Sequence, residues 1–580
     1  MKKLIIIFLM LTTLIFAAND TNETTQKTIY TLEIKGLKSL DKDDLAKAIG
    51  AKEEGFFSSK FVISEEFVKV IPTAVKNFMQ SHGFFDYKMK LKKENKKIIL
   101  IIDEGRPVRV TDIKIDSDID IKKFIPFKVG DIFSSEEFLE SKDEIIKFLM
   151  ESGYCQYKLD TKAYVDLKSY SAKLKYFVRK NRVCRFGKIK IAKKPKDIKK
   201  EVILSRIKYT PGEVFSTKKI EESYLALNKL NVFANINIMY DLDKNSSVVD
   251  TTISLDKREK LKRYEVAIGY DSEIGMRFRG SWEHRNILHN ATKLSVSTQY
   301  SKRIKSLQTT FFMPAAISHK GHYLDFYSTL GSIKENQKGF NRRSFFLNSY
   351  LEYNHKKWDV KAGVGIENLK IDLKEESDSI IGGTFNMIYP YVEAIYDSRD
   401  SKLDPTKGIY GKFYWEYGLS SSKEGAVQYF KYLVEGRFIH TIDDLTLSAV
   451  AKVGVIKKFS GKLPASKLFY GGGAFSNRAY SKNSVGVVTS STSYKKLGGK
   501  SLFNLQLEAN YKLYKNLYGA VFFDSTMIAE NSFDFHGKRL DTLGVGLRYK
   551  TPIGPVKIDF GFNVRKFKQN AISIMLGQSF

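Results

Sequence analysis

Gly498-Gly499-Lys500-Ser501 ends as a phosphate-cradling loop ends, with a lysine to meet phosphate oxygens and a hydroxyl for magnesium. The opening glycine of such a loop would stand at position 494, which is Tyr494, and the segment lies between strand patterns instead of ahead of a helix. Nucleotide chemistry therefore does not follow. The eight histidines, His284, His289 and His355 among them, are too scattered to converge on one metal. No His-Glu-x-x-His, Gly-x-Ser-x-Gly or Cys-x-x-Cys occurs, so the chain reads as a non-enzyme without metal or cofactor. Cys155 and Cys184 can form one disulfide in an oxidising compartment, but spacing alone does not show that they pair. Asp397 and Asp400 sit in a polar turn and shape it.

The chain ends say which elements must carry such residues. Lys2 and Lys3 precede an apolar run, Leu4 to Phe16, followed by small Ala17 and Ala18; this reads as a cleaved secretory signal, 1–18. The last ten residues alternate, with Ile572, Ile574, Leu576 and Phe580 on one face and Ser573, Gly577 and Ser579 on the other. A lipid-facing side, a wet side and a terminal aromatic are the marks of a bacterial outer-membrane β-barrel strand. No later stretch approaches the roughly 20 consecutive apolar residues that a transmembrane helix needs. A mean hydropathy of −0.29 does not oppose a barrel, because lumen residues dilute the lipid-facing ones. The net charge of +31 first suggests nucleic acid, but the basic residues are scattered without a nucleic-acid-binding motif, and export removes that partner. Anionic lipid headgroups, unfolded client chains or a merely solvated lysine-rich surface remain as readings of the charge.

From Ile29 to about Lys257 the pattern is mixed α/β and repeats. SHGFFDYKMK from Ser81 echoes ESGYCQYKLD from Glu151, and VGDIFSSEEF from Val129 echoes PGEVFSTKKI from Pro211. Such echoes predict tandem small domains at 29–105, 106–181 and 182–258, each drawn as strand, two helices, two strands, with Leu230 to Phe233 replacing the Gly-aromatic pair in the third. From Leu261 the period becomes two. Phe503, Leu505, Leu507, Ala509, Tyr511 and Leu513 oppose Asn504, Gln506, Glu508, Asn510 and Lys512, a segregation no helix produces. At roughly 20 residues per strand and connection, 262–580 holds about 16 antiparallel strands, and hydrocarbon requires that they close. The expected fold is α+β periplasmic repeats followed by an all-β transmembrane barrel.

Four segments carry a resemblance to the BamA/TamA superfamily of outer-membrane assembly and translocation barrels. FYGGGAFSNRAY, Phe469 to Tyr480, is similar to its loop signature at Gly472, Gly473, Ser476, Arg478 and Tyr480, with Asn477 in place of an aliphatic and Ala479 in place of glycine. YDSRDSKLDPTKGIY resembles a strand-turn-strand motif through Asp397, Asp404, Pro405 and Gly408. GAVFFD, ending on Asp524, and LGVGLRYKTPIGPVKIDFGF, with Pro552, Gly554 and Pro555 in its turn, complete the set. The resemblance implies that Arg478 anchors a lumen loop on an inward carboxylate, Asp524 first and Glu508 second. It also implies that the repeats are polypeptide-transport-associated (POTRA) domains whose sheet edges accept unfolded outer-membrane clients by strand addition. Three such domains are closest to the TamA branch, which implies a TamB-like inner-membrane-anchored partner and insertion of autotransporters. The first strand, Arg263 to Tyr270, and the last would form a seam that opens sideways, with Gly577 a weak point. A two-partner-type secretion pore or passive channel, and a BamA-type core assembly factor, stay open as alternatives.

Overall fold

The computed structural model describes residues 29–580 except 55–59, 244–245, 272–274, 376–379, 424, 552–553 and 577–580. The export signal, Pro552, Gly577 and Phe580 lie outside the described residues, as does the side chain of Leu576. The chain forms two compact units. One takes the residues up to Lys188 with Pro211–Lys218 and Asp241–Asp250; the other takes Ile189–Thr210, Lys219–Tyr240 and Thr251–Phe580.

The first two repeats lay helix on a mixed sheet, and the third carries a three-stranded sheet. In the second, Arg109–Ser117 pairs in parallel with Ser171–Arg179, which pairs antiparallel with Lys158–Asp166. The helix Ser135–Glu151 contributes Phe138, Ile145 and Leu149 to the core, and Ser134 caps it by accepting the Glu137 N–H at 3.2 Å. The expected pair of helices is not formed here. A single 3-10 turn, Lys122–Phe124, takes the place of the first, because Pro126 disfavours helical geometry at Ile125, which is extended. The first repeat departs the other way, adding the hairpin Lys52–Glu53 with Phe61–Ser64 to a five-stranded sheet. The third follows the expected order with Arg185–Lys193, Lys200–Leu204, Thr217–Asn228, Phe233–Tyr240 and Val248–Lys257.

The sequence echoes have a backbone cause. Gly83 and Gly153 end their helices at φ +85° and +92°, and Asn231 takes the same left-handed position at +60° in the third repeat. The joints that follow are also alike. Gly83 O accepts the Val108 N–H and Val108 O accepts the Phe133 N–H; Gly153 O accepts the Cys184 N–H and Cys184 O accepts the Phe215 N–H, all at 2.8 to 2.9 Å. Cys155 and Cys184 are disulfide-bonded at this second joint.

Among the described residues, sixteen strands pair antiparallel in sequence order from Lys262–Asp271 to Lys566–Leu576. The two-residue period places each side as water and lipid demand. On Ser501–Tyr514, the twelfth strand, Asn504, Gln506 and Glu508 are buried inward while Leu507, Tyr511 and Leu513 are exposed outward. On the last strand Ser573 is buried and Ile572 and Ile574 are exposed. The third repeat's core, with Ile198, Val202, Leu227 and Phe233, continues into Ala291 and Phe312 of the barrel. Arg206 joins the same surface, pairing with Asp325 at 2.6 Å.

Candidate functional site

The connection between the eleventh strand, Leu445–Ser460, and the twelfth runs through residues 461–500 and folds back among the inward-facing side chains. Its tip needs Gly472 and Gly473 at successive φ of +92° and +93°, where a Cβ on Gly472 would fall 2.4 Å from Ser481 O. The Gly473 N–H donates to Asn477 O at 3.1 Å and to Tyr480 O at 2.8 Å, and Ser476 Oγ accepts the Gly472 N–H at 3.3 Å. This tight turn presents Arg478 to the wall.

Arg478 meets both expected carboxylates. Its backbone N–H and its Nε donate to Asp524 Oδ2 at 2.9 Å each, and Nη2 donates to Asp524 Oδ1 at 2.8 Å. Nη1 donates to Glu508 Oε2, and the guanidinium carbon lies 3.4 Å from the centroid of the Phe522 ring. Three further charges enter that sequence reasoning missed. Arg548 reaches Glu508 Oε2 at 3.1 Å and Asp559 Oδ1 at 2.6 Å, and Asp559 also lies 3.7 Å from Arg478. With Lys557, also buried on the inner face, the cluster balances three cations against three carboxylates. A buried charge is tolerable when paired and costly when its partner is removed. Arg548, Lys557 and Asp559 were findable from the sequence as charges on the polar face of an alternating strand.

The two departures from the loop signature fit their places. Asn477 is buried, donates from Nδ2 to Leu540 O at 2.9 Å and accepts the Thr542 hydroxyl at 2.6 Å. Ala479 has no left-handed backbone, so glycine is not required. Its carbonyl accepts Gln569 Nε2 of the last strand at 3.2 Å, and the Tyr480 hydroxyl accepts Asn563 Nδ2 at 2.8 Å. Lys452, Asn504 and Gln506 donate to Phe475, Ser476 and Ala474 carbonyls. The loop tip is thus held by the eleventh to sixteenth strands. Its limbs add Leu468, Phe469, Val485, Val488 and Leu497 to an apolar cluster with Phe340, Leu369, Ile371 and Phe385 of the wall.

The turn motif borders this cluster, since Asp404 and Pro405 line one cavity with Glu508, Arg548 and Lys557. Asp397 forks onto Arg399 at 2.9 and 3.0 Å, and Asp400 accepts the Thr406 N–H at 2.9 Å. Asp404 reaches Lys550 at 2.8 Å. Pro405 is buried, and Gly408 opens the ninth strand, Gly408–Ser422, at φ +125°. Among the described residues no group of three or more His, Cys, Asp or Glu side chains is arranged to hold a metal ion.

A family model described as an Omp85 superfamily domain matches residues 286–580, and one described as a surface antigen variable number repeat, of the POTRA type, matches 108–181. The chain is 20% identical over 567 residues to an outer membrane protein assembly factor BamA of Nitratidesulfovibrio vulgaris, covering 92% of this chain and 70% of that one. It is 22% identical over 411 residues to a protein of the same name from Buchnera aphidicola, covering 66% and 65%. Among solved structures, BamA from Haemophilus ducreyi lacking POTRA domains 1–3 superposes with a TM-score of 0.51 at 14% identity, over 81% of this chain and all of that one. That last likeness is one of fold.

Proposed function

From the premise that this chain belongs to the Omp85 superfamily, we propose that it receives unfolded outer-membrane protein clients and assembles them into the bilayer. It is an outer-membrane barrel with POTRA repeats in the periplasm. The observation that carries the assembly reading is where the loop is fastened. The Arg478 lock with Asp524 and Glu508 grips the C-terminal wall, and Ala479 is held by Gln569 on the last strand. Release of this loop would free the strand that borders the proposed seam with Lys262–Asp271. A seam that opens exposes two strand edges, and client strands pair with them through backbone hydrogen bonds without nucleotide energy.

Strand addition on the repeats has a preferred place. Among the described residues, the outer strands are Lys52–Glu53 and Lys88–Glu94 in the first sheet, Arg109–Ser117 and Lys158–Asp166 in the second, and Arg185–Lys193 and Phe233–Tyr240 in the third. All but the last carry lysine or arginine, which discourages pairing, while FANINIMY is uncharged. Three repeats favour the finer TamA-like reading, with a TamB-like partner and autotransporters among the clients. The BamA-type reading draws on the names of the relatives. The passive-channel reading is disfavoured by the apolar cluster that the loop builds inside the wall.

Depletion followed by an inventory of the outer membrane tests the proposal. Broad loss of β-barrel proteins is expected; loss of one exported cargo alone would favour the secretion pore. A disulfide placed between the first and last strands should stop assembly. Clients still assembled by the crosslinked barrel would rule out gating at that seam.

A further inference from the structure

Lys467 lies in the same loop as Arg478 but on its opening limb, closing the 3-10 turn Ala465–Lys467. Its ammonium sits 3.5 Å from Glu367 Oε2, 3.6 Å from Glu416 Oε1 and 3.8 Å from the centroid of the Tyr389 ring. Neither carboxylate is there by accident of packing, because each is held by further donors. Glu367 accepts Arg342 at 2.7 Å and Ser344 at 2.6 Å, and Glu416 accepts the hydroxyls of Tyr414, at 2.6 Å, and Tyr429. The backbone of the turn is gripped as well. Lys431 Nζ donates to Lys467 O at 2.8 Å, and the Tyr470 hydroxyl donates to Ala465 O at 2.9 Å.

These partners belong to the sixth through tenth strands, whereas the carboxylates of the Arg478 lock belong to the twelfth, thirteenth and fifteenth. In a cylinder of sixteen strands the first group centres on the eighth strand and the second near the thirteenth, about five strands away. We propose that Lys467 is a second anchor, a positioning residue that makes the loop a strap fixed to two walls of the bore instead of a flap on one lock. The inference rests on the reading of this loop as the part that must be released for assembly. It adds that both ends must be freed, because cutting the Arg478 lock alone leaves the opening limb tied to Glu367 and Glu416.

The test uses the full-length protein in liposomes, without clients, so its outcome is separate from that of the assembly reading. Ser484, a buried loop residue, is replaced by cysteine and its maleimide labelling is timed. Lys467→Met should speed labelling about tenfold, as the loss of ~1.4 kcal/mol of local closing free energy would, and should raise open-state conductance in planar bilayers. Lys467→Arg, which keeps the charge, should stay near the parent rate, and Lys467→Met with Arg478→Ala should exceed either alone. A Lys467→Met barrel that still shows heat-modifiable migration, with labelling and conductance unchanged, would overturn the second anchor. If that variant does not fold, Glu416→Gln carries the same comparison, and parent-like labelling there would be equally fatal.

Discussion

Asp524 accepts three hydrogen bonds from one residue, two from the Arg478 guanidinium and one from the Arg478 backbone N–H. A carboxylate is therefore needed on the wall side for a reason beyond charge pairing. Exchanging the two residues, Arg478→Asp with Asp524→Arg, keeps the net charge but leaves the backbone N–H without its acceptor. The swap should not restore client assembly, whereas Asp524→Asn, which keeps an oxygen, should be milder than Asp524→Ala. Arg478→Ala should weaken the loop's hold by about 3–5 kcal/mol, the cost of breaking a buried pair. Assembly assays beside heat-modifiable gel migration check this: assembly lost and migration kept is the expected pattern.

Restoring the family's usual residues should not help this protein. Asn477→Leu would strand the Thr542 hydroxyl and Leu540 carbonyl that Asn477 now satisfies, at about 1–3 kcal/mol. Ala479→Gly should be close to neutral, since no left-handed backbone is present to relieve. Protease protection of the loop in intact barrels would rank the two; equal protection in Asn477→Leu and parent would refute the reading.

How much of this was legible beforehand differs by level. The barrel was legible because lipid on one side and water on the other impose a two-residue period that Phe503 to Leu513 displays openly. The Arg478 partners were nameable because resemblance pointed to Asp524 and alternation put Glu508 on the inner face. The Lys467 site was not, because Glu367, Tyr389 and Glu416 come together through the stagger of three strands, which no single strand records. The second repeat's single helix is a different case: apolar spacing does not register the hold of Pro126 on Ile125, which is extended and limits the segment before it to one 3-10 turn.

Glu104 gives the first repeat an acid-sensitive point. Burial alone would raise its carboxyl, but N–H groups of Ser39, Lys38 and Leu40 donate to it and hold it below the ordinary carboxylate range. A folded value below the unfolded one, about 4.3, means the contribution is complete above that pH and fades as pH falls through the folded value. Hydrogen exchange of residues 38–48 in the intact protein, corrected for intrinsic rates, should hold steady from about pH 7 to 5 and quicken below about 4. Glu104→Gln should exchange faster throughout and lose that acid step.

The disulfide at the second joint replaces an apolar contact of the first. Cys155 stands two residues after Gly153, as Phe85 stands after Gly83, and Cys184 occupies the place of Val108 in the same chain of backbone hydrogen bonds. Val108 is fully buried and Phe85 packs in the second repeat's core, so one joint is closed by burial and the other by a covalent link. Closing the 29-residue separation constrains the unfolded chain by about 3–4 kcal/mol in the chain-entropy account. Cys155→Ser with Cys184→Ser should therefore loosen the Gly153–Phe215 joint, seen as faster amide exchange at residues 183–186 and 213–215. If the two joints share one backbone geometry, Phe85→Cys with Val108→Cys should oxidise in the periplasm and shift migration on non-reducing gels. Failure of that pair to crosslink in a folded barrel would show that the two joints differ in geometry despite their common hydrogen bonds.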